Sequence, residues 1–176
     1  MGTYEIGHGP RDQIWEMYGG RILAKLGRVN LTRDGYVYTI QPTMHDGKLA
    51  CEKLTIERET LEGQPVSSDA IRAAKVPQWL GAVVDSLIYE PAGPDWSGGE
   101  RWVARHTRPP QGFADDGPTD EALELLAQHY AWLMVQGRKP SGEFLRDYGM
   151  PRSTSSKWIS LARKRGILVD EHRRER

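Results

Sequence analysis

KPSGEFLRDYGMPRSTSSKWISLARKRG, residues 139–166, is the stretch whose reading decides the fold. Ser141 offers a helix N-cap. The helix it opens carries Phe144 and Leu145 and stops at Gly149, where a left-handed backbone costs least. Met150 follows as an apolar plug. Pro151 then sits where a second helix begins, and that helix runs to Gly166. Helical spacing puts Ser155, Trp158, Ile159 and Ala162 on one inward face. Ser153, Ser156, Lys157, Ser160 and Lys164 fall on the opposite side, with Arg152 and Arg163 flanking them. From Arg152 to Val169 there is no Asp or Glu. A solvated helix normally mixes charge signs, and helix propensity alone does not select so many serines.

Upstream, Thr119 caps a first helix with Asp120 and Glu121 in its first turn, where the dipole favours negative charge. Leu123, Leu126, Ala127, Tyr130, Leu133 and Met134 form its core stripe. A second stripe of Leu125, His129 and Trp132 is expected to dock on the N-terminal part or on another subunit. Three helices, the last two separated by a glycine turn, make a helix-turn-helix unit.

Phe144 to Ile159 resembles the helix-turn-helix of bacterial and phage regulators. Arg152-Ser153-Thr154, Trp158, then Ala162-Arg163 and Gly166-Ile167-Leu168 are similar to modules in regulators of high-GC bacteria and their phages. The resemblance covers about 50 of the 176 residues. It implies double-stranded DNA as partner, with Gly149 as the turn glycine and Arg152, Ser153, Ser156 and Lys157 touching bases or phosphates. The full set expected on DNA is Arg152, Ser153, Thr154, Ser156, Lys157, Ser160, Arg163 and Lys164. Small serines let a helix enter the major groove closely, and cations neutralise phosphate. Two departures stand out. Leu145 replaces the usual Ala, which implies a wider angle between the helices. Ser155 replaces Val or Ala, which implies a weaker core contact.

The rest of the chain is organised differently. Tyr36 to Ile40 is aromatic and β-branched, and Asp34-Gly35 and Asp46-Gly47 are turn dipeptides on either side. Leu49 to Glu59 alternates, with Leu54 and Ile56 on one face, as a half-buried strand does. Ser67-Ser68-Asp69 offers N-caps, and Pro77 fits the first turn of a helix carrying Trp79, Leu80, Val83, Val84, Leu87 and Ile88. The first twenty residues read as a short helix or irregular segment. Between Pro91 and Pro118 lie five Pro and five Gly, which is linker chemistry. Residues 101–108 are a candidate strand within it, and Trp96 and Trp102 there are expected to pack on something. The expected fold is α+β: a small antiparallel-sheet-plus-helices domain at 1–89, a linker at 90–118, and a three-helix helix-turn-helix domain at 119–176. His172 to Arg176 is expected to be a basic, mobile tail.

Formal net charge is zero, with 24 basic and 24 acidic residues. The distribution is lopsided: Arg138 to Arg176 holds eleven Lys/Arg against five Asp/Glu. A basic end on an acidic body is a localised polyanion footprint. The single cysteine, Cys51, rules out an internal disulfide. The N-terminal residues have no signal-peptide core, and no run approaches the ~18 apolar residues of a membrane span, so no membrane partner and a cytoplasmic location are expected. His8, His45, His106, His129 and His172 are scattered without metal-ligand spacing, and no metal or cofactor is expected. No phosphate loop or nucleophile elbow occurs, and Asp115-Asp116 lies in a Gly/Pro loop, so catalysis is not expected. The functional expectation is a sequence-specific DNA-binding regulator of transcription or of a mobile element, a candidate homodimer whose N-terminal domain supplies dimerisation, effector binding or protein contacts. The alternative is a phage- or plasmid-encoded interaction adaptor that uses the helical module or the Trp132 face.

Overall fold

The computed structural model describes residues 3–7, 13–19, 21–94, 100–103, 108–170 and 172–175. Among them the fold is α+β, with two antiparallel sheets and five helices. The strands are β1 (Thr3–Gly7), β2 (Gln13–Met17), β3 (Ile22–Leu26), β4 (Arg28–Arg33), β5 (Tyr36–His45), β6 (Lys48–Arg58), β7 (Ile88–Pro94), β8 (Glu100–Val103) and β9 (His172–Glu175). The helices are α1 (Ser68–Arg72), α2 (Val76–Leu87), α3 (Asp120–Val135), α4 (Pro140–Tyr148) and α5 (Arg152–Lys164). One sheet has the order β1-β4-β5-β6 and the other β8-β7-β3-β2-β9.

Alternation and turns explain the first sheet. Asp34-Gly35 and Asp46-Gly47 have positive φ at both positions, the backbone of a tight two-residue hairpin. On β5, Tyr38, Ile40 and Met44 point into the core, and on β4 Val29 and Leu31 do so. Pro42 sits on β5 beyond its last pair with β4, Val29↔Ile40, so its missing N–H costs that ladder nothing. Gly27 alone separates β3 from β4, and there the chain passes from one sheet to the other.

Helix α2 covers this core: Trp79 meets Tyr38 edge-on at 4.9 Å, and the Tyr38 hydroxyl donates to the Ala70 carbonyl of α1 at 3.1 Å. Ser67 caps α1, accepting from the Ala70 N–H, and Pro77 lies in the first turn of α2, both as the sequence indicates. Thr119 caps α3 through Oγ1, 3.2 Å from the Ala122 nitrogen.

Several expectations are corrected. The first twenty residues carry two strands, not a helix: β1 pairs with β4, and β2 with β3 and β9. β4 and β9 are remote in sequence from the strands they pair with; β2 and β3 form a local hairpin, but five-residue strands leave little periodicity to mark it. Ile88 belongs to β7, not to α2, so the Pro/Gly-rich stretch opens with a strand. Of the candidate strand at 101–108, only the start is realised, as β8, paired with β7; Arg108 is not in a strand, and residues 104–107 lie outside the described ones, as does Trp96. The tail reading of His172 to Arg176 gives way to β9, which adds to β2 from Met17↔His172 to Ile14↔Glu175. Ser141 is not the cap of α4: Lys139 holds that position and Pro140 enters the first turn, where its fixed φ suits a helix start.

Helix α3 is buried almost all round, at Ala122, Leu123, Leu126, Ala127, His129, Tyr130, Ala131, Trp132, Leu133 and Val135. It lies between the sheets and the pair α4 and α5, and one continuous apolar cluster runs from Met17 to Leu168. The second stripe of this helix therefore docks within the chain. His129 stands edge-on to Phe144 and Tyr148 at 5.4 and 5.7 Å, and Trp132 shares a cleft with Gly81, Val84 and Asp85 of α2.

Gly149 closes α4 in the left-handed conformation, φ 65°, donating to the Leu145 carbonyl at 3.0 Å. A Cβ there meets nothing within 4 Å. Gly149→Ala is therefore expected to cost only the backbone penalty, about 1 kcal/mol, read as a lower urea midpoint with unchanged slope.

Candidate nucleic-acid interface

Helix α5 is set by its inner row. Ser155 and Ala162 are fully buried, and Trp158 and Ile159 nearly so. Trp158 packs edge-on against Phe113 at 6.4 Å, and Phe113 in turn meets Tyr148 of α4 at 5.2 Å. Ser155 is no defect in this row, because its hydroxyl donates to the Arg152 carbonyl at 3.0 Å and satisfies itself within the helix. Leu145 is 43% exposed.

The opposite face is open. Arg152, Ser153, Ser156, Lys157, Ser160 and Lys164 are exposed. Thr154 is half-buried on the flank beside Trp158, off the outer stripe. Among the described residues, Arg152, Lys157 and Lys164 have no ion-pair partner. The first turn of α5 has no acid, and no side chain caps it. Its N-terminal dipole and its cations therefore add at one surface.

Helix α4 differs. Arg146 pairs with Glu143 and Asp147, and Arg138 pairs with Glu143. The Arg146 guanidinium holds the Asp147 carboxyl below its ordinary range. Charge on α4 is balanced locally, so the unmatched positive surface belongs to α5.

Arg163, exposed like the other cations of α5, differs from them in being bonded within the chain. Its Nε donates to Asp170 at 2.7 Å and its Nη2 to the Tyr130 hydroxyl at 2.8 Å, with the guanidinium 5.4 Å from the Tyr130 ring centre. It bonds the end of α5 to α3 and to the segment that follows, while its side chain stays 41% exposed. Burial pushes the Tyr130 phenol above its ordinary value, against the pull of Arg163.

Two further arginines, unremarkable in the sequence, fix the same corner. Arg165 reaches Asp120 at 2.7 Å and the Pro118 carbonyl at 3.3 Å. Arg21 donates through Nε to the Ile167 carbonyl at 2.9 Å and pairs with Glu124, while Gln128 donates to the Arg21 carbonyl at 3.0 Å. No local signal marks Arg21, whose partner lies 146 residues away.

Trp132, the expected face of an adaptor, is 3% exposed and lies inside the chain. Among the described residues no three His, Cys, Asp or Glu side chains gather as metal ligands. No helix of the described residues is long and apolar enough to cross a membrane. Compared with protein-family models, curated proteins and solved structures, the chain matches none.

Proposed function

We propose that this chain binds double-stranded DNA sequence-specifically, with α4, the Gly149 turn and α5 as a helix-turn-helix and α3 as its brace. Helix α5 enters the major groove. The observation that carries this reading is the outward face of α5, exposed, free of carboxylates and holding Arg152, Lys157 and Lys164 without ion-pair partners among the described residues. In this reading Ser153, Ser156 and Ser160 read base edges, and Arg152, Lys157 and Lys164 meet phosphates. Thr154, from the flank, reaches the backbone only. Arg163 contributes through the orientation of the helix. In this role the protein is a regulator of transcription or of a mobile element.

Selection of bound duplexes from a random pool with the intact protein tests the proposal. Enrichment of a short motif is expected, and a palindrome results if two copies bind together. Recovery of no motif over repeated rounds removes sequence-specific recognition.

A further inference from the structure

Strand β6 is eleven residues long, ends its sheet, and carries both charges and an irregularity. Its core-side residues Leu49, Cys51, Leu54 and Ile56 are all only half-buried, whereas Tyr38, Ile40 and Met44 on neighbouring β5 are buried. Lys48, Glu52, Lys53 and Glu57 are exposed along it. Among the described residues its outer edge makes no backbone hydrogen bond from 48 to 57.

Backbone direction follows from the turns. Both two-residue hairpins close on hydrogen-bonded pairs, Arg33↔Tyr36 and His45↔Lys48. Counting by twos from either turn, the odd-numbered residues of β5 face β6. Lys48 and Ala50 therefore turn their peptide groups toward β5, as do Lys53, Thr55 and Glu57. The register shifts between Gln41↔Lys53 and Pro42↔Cys51, so β6 carries one extra residue there. Leu49 and Cys51 before the irregularity, and Leu54 and Ile56 after it, consequently share both the core side and the open edge.

We infer that β6 pairs antiparallel with β6 of a second copy of this chain, about a two-fold axis between Glu52 and Lys53. In that register Leu49 lies opposite Ile56 of the second copy, and Cys51 opposite Leu54. These are the residues whose peptide groups face outward, so the ladder closes with apolar pairs on the core side. Lys48 lies opposite Glu57 of the second copy and Glu52 opposite Lys53, each pair occurring twice by symmetry. In an ordinary strand a two-fold axis between adjacent residues mismatches both faces and hydrogen bonds; the inserted residue removes that mismatch. Charges on an edge usually ward off pairing. Here their order makes opposite signs meet, and opposite-sign cross-strand pairs favour one register. Lys48, Lys53 and Glu57 have no ion-pair partner among the described residues, and Glu52 accepts from Gln41 at 3.3 Å. The interface is independent of what α5 binds.

Sedimentation velocity of the full chain over a concentration series tests the inference. The wild type is expected to dimerise. Lys53→Glu sets like charges together at both symmetry-related positions and is expected to weaken the dimer at least about tenfold. Lys48→Glu, at the other pair, acts in the same direction. The swap Glu52→Lys with Lys53→Glu restores the pairing. Circular dichroism checks that each variant keeps its fold. A wild type monomeric throughout the series, a dimer indifferent to both single reversals, or a swap that fails to restore association overturns the inference.

Discussion

Trp158→Ala is expected to remove about 3–5 kcal/mol of stability, the usual cost of emptying a large buried aromatic site. Trp158 is 8% exposed and joins α5 to Phe113, which itself leans on Tyr148 of α4. Domains of this kind are stable by about 5–15 kcal/mol, so such a loss leaves little margin. Urea denaturation followed by circular dichroism gives the number. Trp158→Phe keeps an aromatic ring at the site and is expected to lose much less. A loss under about 1 kcal/mol for the alanine variant is outside the cavity range and means that the tryptophan does not anchor α5.

The second large effect concerns binding rather than folding. Lys157→Ala with Lys164→Ala removes two exposed cations that no carboxylate holds among the described residues. Stability is expected to change by no more than about 0.5 kcal/mol, as for other surface sites without special contacts. Affinity for the selected duplex is expected to fall by about tenfold or more at low salt, since each lost phosphate contact returns counterions to the DNA. Arg163→Ala provides the contrast. It breaks the bonds to Asp170 and Tyr130, so its first effect is on the thermal midpoint of the fold and on the orientation of α5. An intact affinity in the double lysine variant, with the fold unchanged, removes the outer stripe of α5 from the binding surface.

The parts legible in the sequence are those governed by neighbours. Asp-Gly turns, the Ser67 and Thr119 caps, the Gly149 stop and the 3.6-residue period of α5 are local chemistry, and each is realised where the residues indicate. Long-range pairing is a different matter. β1 and β9 hold because strands distant in sequence offer them edges, and nothing within five residues announces such an edge. Ile88 continues the apolar spacing of α2, yet β3 captures it as a strand residue through Ala24. The helical period is overridden there by tertiary pairing, with which the β-branched side chain agrees.

The candidate site divides in the same way. Which residues of α5 face inward follows from their period, and Ser155, Trp158, Ile159 and Ala162 are the buried ones. Which cations remain available does not follow. Arg152 to Lys164 contains four cations of similar promise in the sequence, but Asp170 and the Tyr130 hydroxyl engage Arg163. Thr154 falls on the flank because Trp158 beside it is drawn into the core. The clamp by Arg21 is invisible because its two sides lie at opposite ends of the chain.

The salt dependence of duplex binding by the intact protein addresses the open face of α5 most directly. Plotted as log affinity against log salt, binding is predicted to fall with a slope of about −0.9 for each phosphate contact, and to become shallower by that amount for each lysine removed. Affinity that does not respond to salt, or a slope identical in the wild type and the double lysine variant, contradicts a polyanion on this helix.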